Sequence, residues 1–211
     1  MNTLFDFTYP RALIFKANEI AGDEEEGFGL DSQLLQAISQ LEEAEKALKH
    51  MPFEAKILST YDYYLALIHY DTGNYSRELG KTAEAIEHYQ TAGQFFIQLI
   101  SDGALLITLG APAFTDYLIE SNLMLAKNQR NLFRLTKDYT EINSAISLLK
   151  QAMTYDSGTQ AKARFCCRLA ELHLLKGEKE QASLFAKNGL SFGQLPDDLE
   201  SELFGYIIEA M

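Results

Sequence analysis

Apolar residues recur along this chain at intervals of three and four. Ile57, Tyr61, Tyr64, Leu65 and Ile68 stand at i, i+4, i+7, i+8 and i+11, which is one face of an α-helix. The run Gln33–His50 is rich in Leu, Ala, Glu and Lys, and Asp31-Ser32 ahead of it offers side-chain oxygens for an N-cap. Glycine and proline signals interrupt the pattern at Gly27–Gly29, Met51-Pro52, Gly73-Asn74, Gly103, Gly110–Pro112, Ser157-Gly158, Gly177 and Gly193–Pro196. No stretch alternates convincingly with a period of two. The pattern therefore predicts an all-α protein of four antiparallel helix pairs at about 8–50, 53–101, 113–153 and 159–192, forming one domain over 1–211. A last helix at 197–210 would cap the array, with Leu199, Leu203 and Ile207 on the fourth pair and its acids in water.

The pattern also repeats. Leu65-Ala66, His69 and Gly73 share their spacing with Leu169-Ala170, His173 and Gly177. The helix after each glycine carries a matched set at i, i+4 and i+7: Ala85, Tyr89, Ala92 and Ala182, Ala186, Gly189. Further copies read as Ala145, Leu149, Ala152 and as Gln40, Ala44, Ala47. Small residues at such spacing let helices approach closely, and a glycine permits the tight reversal between them. From Ala163 to Pro196, with Leu169-Ala170, Gly177, Ala182 and Gly189-Leu190 in place, the chain resembles the tetratricopeptide repeat (TPR) family in a divergent, irregular form. Ala47-Leu48 followed by Pro52 is similar to the end of another unit. The third unit, near Leu123 to Met153, has Lys137-Asp138-Tyr139 where a turn glycine would stand. The resemblance implies a right-handed superhelical solenoid whose stacked pairs share one core. It also implies a groove that holds an extended peptide or a helix, in some members by gripping a terminal carboxylate with Lys, Asn and Arg.

Composition narrows the reading. With 47% hydrophobic residues the chain is globular and not disordered. A net charge of −12 disfavours nucleic acid, because such a surface repels phosphates. The charge is uneven: residues 127–194 hold eleven bases and six acids, a net of +5, within an otherwise acidic chain. Either this segment faces acidic helices of its own chain, or it offers a basic surface to an acidic ligand. Met1 to Ile20 shows no signal-peptide pattern, and Phe95 to Phe114 is broken by Asp102, Gly103, Gly110 and Pro112, so neither export nor a membrane span is expected. The adjacent Cys166 and Cys167 read as reduced thiols, at least one in a core. Together these favour the cytoplasm.

Candidate chemistry is sparse. Gly80-Lys81-Thr82 resembles the end of a phosphate-binding loop, but Tyr75 stands where that loop needs its first glycine. His50, His69, His88 and His173 lack metal-ligand spacing and read as packing or solvated residues. Asp23–Glu26 lacks the alternation of a calcium loop. Asn74-Tyr75-Ser76 fits a glycosylation sequon, which is moot in the cytoplasm. No catalytic triad is visible, so no enzyme, cofactor or metal is expected. Two partner-binding sets remain. Lys127, Arg130, Asn131 and Arg134 share one narrow helical face, to which Arg164 adds a further base; either the face is solvated or paired within the chain, or, as the TPR resemblance implies, it suits an acidic segment or C-terminal carboxylate. Tyr63, Leu67 and Tyr70 share a second face, either a contact surface or packing against a neighbouring pair. The apolar stretch Gly103–Phe114 either continues a helix into the core or forms a patch for a partner or a second copy. The expected function is a protein-interaction scaffold or adaptor. A secretion-type chaperone for an exported client and a small-ligand-sensing helical regulator are the alternatives.

Overall fold

The computed structural model describes residues 6–22, 29–56, 59–108, 115–155 and 158–211, the side chains of 105–108 and 115–116 excepted. The described residues form helices and connections, with no strand among them. The helices are α1 (Thr8–Ala21), α2 (Asp31–Lys49), the single turn α3 (Phe53–Lys56), α4 (Ser59–Glu78), α5 (Thr82–Thr108), α6 (Thr115–Thr136), α7 (Tyr139–Ala152), α8 (Thr159–Leu175), α9 (Lys179–Leu190) and α10 (Asp197–Ala210). Ile57, Gly27, Gly110–Pro112, Ser157 and the acidic run Asp23–Glu26 lie outside the described residues. The chain divides into two compact units, Met1–Asp102 and Gly103–Met211.

In the first unit, α1 packs along α2, and both pack against α4. Their shared core holds Leu13, Ile14, Ala17 and Ala21 of α1, Leu34, Ala37, Leu41, Ala44 and Leu48 of α2, and Leu65, Ile68 and Tyr75 of α4. This sets the register of α2. The buried i, i+4, i+7 set is Ala37, Leu41, Ala44, three residues earlier than the expected Gln40, Ala44, Ala47. The start of α2 also differs in detail: Asp31 is its first residue, and the Gln33 side chain accepts from the Leu30 amide at 2.7 Å.

The second turn is the main correction to the sequence reading. Gly73-Asn74 lies inside α4, and the reversal is at Gly80, with φ +73°. There the Gly80 amide donates to Arg77 O at 3.0 Å and the Lys81 amide to Ser76 O at 2.8 Å. Gly177 (φ +76°) repeats this arrangement, with Gly177 bonded to Leu174 O at 2.8 Å and Glu178 to His173 O at 2.9 Å. Each is a left-handed helix end of the Schellman kind. Measured from Gly80 the spacing to the buried Ala85 is five residues, the same as from Gly177 to Ala182. Gly73 serves packing instead, because the Tyr89 ring lies where a Cβ would be, 2.9 Å away.

In the second unit, α6 and α7 pair, as do α8 and α9, while α10 lies on both α8 and α9. One cluster joins Leu123, Ala126 and Phe133 to Ile142, Ala145, Ile146, Leu149 and Ala152, and to Phe165, Leu169 and Leu172. The α6–α7 turn has no glycine. Lys137 takes the left-handed conformation itself (φ 59°), its amide donates to Phe133 O at 2.8 Å, and Asp138 caps α7 by accepting from the Thr140 amide at 2.9 Å. A second cluster buries Cys167, Ala186, Leu199 and Leu203, with Ile207 packed against it. Cys166 and Cys167 are both buried free thiols, and burial pushes the Cys166 thiol up to about 11. The outer face of α10 exposes Phe204 and Ile208 among its acids. Gly103 is buried, and α5 runs through it to Thr108, so the first half of the apolar Gly103–Phe114 stretch is helical; residues 109–114 fall outside the description.

Candidate functional site

The predicted basic face is largely internal to the second unit. Asn131 is fully buried and Arg130 is 8% exposed. Arg130 Nη1 donates to Glu171 Oε1 at 3.0 Å, and its Nε donates to Asn131 Oδ1 at 3.0 Å. Glu171 Oε2 accepts from Arg168 Nη1 at 2.7 Å, and Arg168 Nη2 donates to Glu202 Oε1 at 2.6 Å. Tyr206 donates to the same Glu202 oxygen at 2.7 Å. Burial raises the Glu202 carboxyl, yet Arg168 and the hydrogen bonds outweigh it and hold the pKa below the ordinary value. Arg164 pairs with Glu120 at 3.2 Å across a half-exposed surface. Of the five basic-face residues, Lys127 is half-buried and Arg134 exposed. The +5 segment thus spends much of its charge on acids of its own unit, and on α6 the narrow polar face is an interior face at Arg130 and Asn131.

The aromatic set divides as well. Tyr70 is 5% exposed, with its ring 6.2 Å from that of Tyr89. Tyr63 is half-buried beside Tyr64, ring centroids 6.1 Å apart, and Leu67 is half-buried. Tyr70 therefore contributes to the core. Asn74 is buried too and accepts from the Tyr89 hydroxyl at 2.7 Å, which rules out its glycosylation in the folded chain.

The structure assembles a different site, wholly within the first unit. A hollow of about 330 Å³ lies between α2, α4 and α5. From α2 come Leu35, Ile38, Ser39, Glu42 and Glu45; from α4, Ile68, His69, Thr72 and Ser76; from the Gly80 turn and α5, Lys81, Glu84 and His88. At its centre His69 Nδ1 and His88 Nδ1 are 3.0 Å apart, within hydrogen-bonding distance. One of the two nitrogens must be bare to accept the other's proton. His69 Nε2 faces Glu45 Oε1 at 3.9 Å, beyond hydrogen-bonding reach. The His69 ring also stacks on Phe95 at 6.0 Å. Burial holds the His69 pKa below its ordinary value, against the opposing pull of Glu45. Thr72 donates to Ile68 O at 2.8 Å. Lys81 pairs with Glu84 at 3.2 Å, both partly exposed.

A wider recess of about 650 Å³ is lined by Phe7, Arg11, Phe15 and Tyr64. It offers mainly apolar contact, with the Arg11 guanidinium already over the Phe15 ring at 5.4 Å. The hollow is the better candidate because polar groups from three helices converge on it. Sequence reading missed it through the turn. With the reversal at Gly73, His69 lies four residues before it and His88 fifteen after, an offset of about 16 Å along the hairpin. With the reversal at Gly80 the offset falls to three residues, and the rings meet.

Among the described residues no group of three or more His, Cys, Asp or Glu is placed to hold a metal, and no helix is long and apolar enough to cross a membrane. No protein-family model and no curated protein matches the chain. Among solved structures it is similar to the DHF58 filament, at 13% identity over 97% of this chain and 92% of that one, with a TM-score of 0.48. The DHF119 filament matches at 13% identity, 95% and 91% coverage and a TM-score of 0.41. The de novo designed helical repeat protein DHR64 matches at 16% identity, 97% and 89% coverage and 0.40.

Proposed function

We propose that the chain is a protein-interaction scaffold of TPR-like kind, which holds a segment of a partner protein and performs no catalytic step of its own. The hollow between α2, α4 and α5 carries this reading. It is concave, walled by three helices and the Gly80 turn, and bordered by exposed Leu35 beside polar side chains. Such a surface takes one or two side chains of a bound segment as anchors. The TPR-like character is supported by the twin left-handed turns at Gly80 and Gly177, each five residues before a buried alanine. Lys127 and Arg134 remain candidates for a secondary polar contact.

Site-specific photo-cross-linking tests the reading. A benzophenone side chain in place of Leu35, on the rim, is compared with one in place of Leu184, exposed on α9. A discrete protein adduct from Leu35 and none from Leu184 is the expected result. Absence of any protein adduct from Leu35, and from Glu42 and Glu84 when they carry the probe, refutes the reading.

A further inference from the structure

Helical arrays stay separate in solution when their end helices present polar outer faces. The first and last helices described here do not. α1 packs on α2 and α4 and turns Phe15 outward, 59% exposed. α10 packs on α8 and α9 and turns out Phe204 at 50% and Ile208 at 71%. We propose that these two faces bind each other between copies of the chain: the α10 ridge of one copy docks in the α1 recess of a second. The recess shares no lining residue with the hollow, so this goes beyond the scaffold reading and does not rest on it.

The two surfaces match in shape. The recess is concave, with a volume of about 650 Å³. Phe7 and Tyr64, half-buried with ring centroids 5.8 Å apart, line it together with the exposed Ala12 and Phe15. A recess of this kind takes a convex apolar insert. Among the described residues, α10 is the helix that sets exposed large apolar side chains on successive turns: Phe204, Ile208 and Met211 stand at i, i+4 and i+7. At 100° per residue they fall within an arc of about 60°. Leu199, Leu203 and Ile207 occupy the opposite, packed side, so the ridge is free of duties in the core. One helix face makes a small contact, below about 1,200 Å² in total, and the association is accordingly weak and concentration-dependent.

The charges beside the two faces also match. Arg11 lines the recess; its guanidinium lies over the Phe15 ring and forms no ion pair with any described residue. Lys16, further along the exposed side of α1, forms none either. On α10, Glu202 is taken up by Arg168, whereas Asp197, Asp198, Glu200 and Glu209 form no ion pair with any described residue. Residues 195–211 contain no base. Glu200 stands one turn before Phe204, as Arg11 stands one turn before Phe15. With the two helices aligned in the same direction and Phe204 seated beside Phe15, Glu200 meets Arg11. That pair sets the register, while the apolar contact supplies the affinity. Each chain carries −12, so copies repel at long range. At about 0.15 M salt the Debye length is about 8 Å, and short-range pairs outlast this repulsion. Because the contact joins unlike faces, every docked pair keeps one recess and one ridge free, and copies add until the array closes or runs on.

Two full-length variants, each blocked on one face, test this by sedimentation velocity. Phe15→Asp spoils the recess and keeps the ridge; Ile208→Asp spoils the ridge and keeps the recess. Both positions are exposed, and circular dichroism checks the fold. Phe15→Ser and Ile208→Ser repeat the experiment without added charge. Loading runs from about 5 to about 500 µM, the range suited to a small interface. The native chain is expected to gain mass with concentration. Each blocked variant alone stays monomeric, and their equimolar mixture forms a one-to-one pair that grows no further. Glu200→Arg weakens the native association by about tenfold or more, although it lowers the net charge from −12 to −10, and adding Arg11→Glu restores it. A native chain that stays monomeric throughout overturns the proposal. So does self-association of either blocked variant, which would mean that like faces pair, and so does a mixture that forms no complex. An association strengthened by Glu200→Arg, or not restored by the double change, overturns it as well. The Leu35 cross-link stands apart from all of these outcomes, because it reports on the hollow alone.

Discussion

Replacing Glu171 by glutamine strikes the centre of the ion network in the second unit. The carboxylate accepts from Arg130 on one oxygen and Arg168 on the other, at 3.0 and 2.7 Å. Side-chain exposure is 11% for Glu171, 10% for Arg130 and 14% for Arg168. Glutamine keeps the shape, removes the charge and turns an amide donor toward one guanidinium. Removing one partner of a buried pair costs about 3–5 kcal/mol, since the remaining charge stays desolvated. A urea slope of about 2 kcal/mol per molar converts this to a midpoint loss of roughly 2 M. Glu120→Gln is the internal reference: its partner Arg164 is 42% exposed, and an exposed pair contributes about 1 kcal/mol or less. Urea titration with amide exchange read on α6 and α8 measures both. The double change Arg130→Met with Glu171→Leu should recover part of the loss, because the Arg130 charge goes with its partner while Arg168 keeps Glu202. A Glu171→Gln cost within about 1 kcal/mol of the Glu120→Gln cost would mean that the network is solvated, and that the basic face is open to ligands after all.

Other expectations follow from backbone geometry and from titration. Gly80→Ala and Gly177→Ala should each cost about 1–2 kcal/mol from φ alone, since nothing lies within 4 Å of an added Cβ. Lys137→Gly should stabilise by somewhat under about 1 kcal/mol, the left-handed relief less its contact over the Phe133 ring; thermal midpoints that move the other way contradict both. Gly73→Ala should destabilise by about 1–3 kcal/mol by striking the Tyr89 ring, whereas Gly205→Ala, in open space on α10, should gain up to about 1 kcal/mol. Similar effects at the two sites would show that Gly73 is not packed. His69 and His173 are both held below 6.5, mainly by burial, so the unfolded chain binds more protons in the window just below 6.5. Stability is therefore complete above about 6.5 and falls as pH drops through the window. His69→Gln and His173→Gln should flatten that slope in urea midpoints at pH 7.5, 6.5 and 5.5, and a midpoint that rises on acidification is incompatible with neutral buried rings.

The helices were legible because their apolar stripes are long and regular. Ala85, Tyr89, Ala92 and Ala182, Ala186, Gly189 are buried in the expected phase. What failed was punctuation. Gly73 looks like a turn because glycine usually is one, but a glycine also leaves room for a ring, and the partner Tyr89, sixteen residues away, decides which. That one misplaced reversal hid the histidine pair. The basic residues were legible as one face of α6, but their destination, a ligand or acids of the same chain, was open in the sequence. Charge summed along a segment does not reveal that Glu171, 41 residues beyond Arg130, and Glu202, 34 residues beyond Arg168, take up the arginines. Lys137 was legible as a turn residue, though not its left-handed backbone.

The two adjacent thiols on α8 provide a clock. Their side chains diverge by about 100° around the helix, so each meets a different wall, Cys166 at Gly189 and Cys167 in the cluster with Leu199 and Leu203. Neither is reachable from water while α8 keeps its neighbours, and burial raises both pKa values, which suppresses thiolate. An aromatic disulfide reagent added at mildly alkaline pH must therefore wait for α9 or α10 to lift away. Its rate of colour release, independent of reagent at high concentration, counts how often that happens.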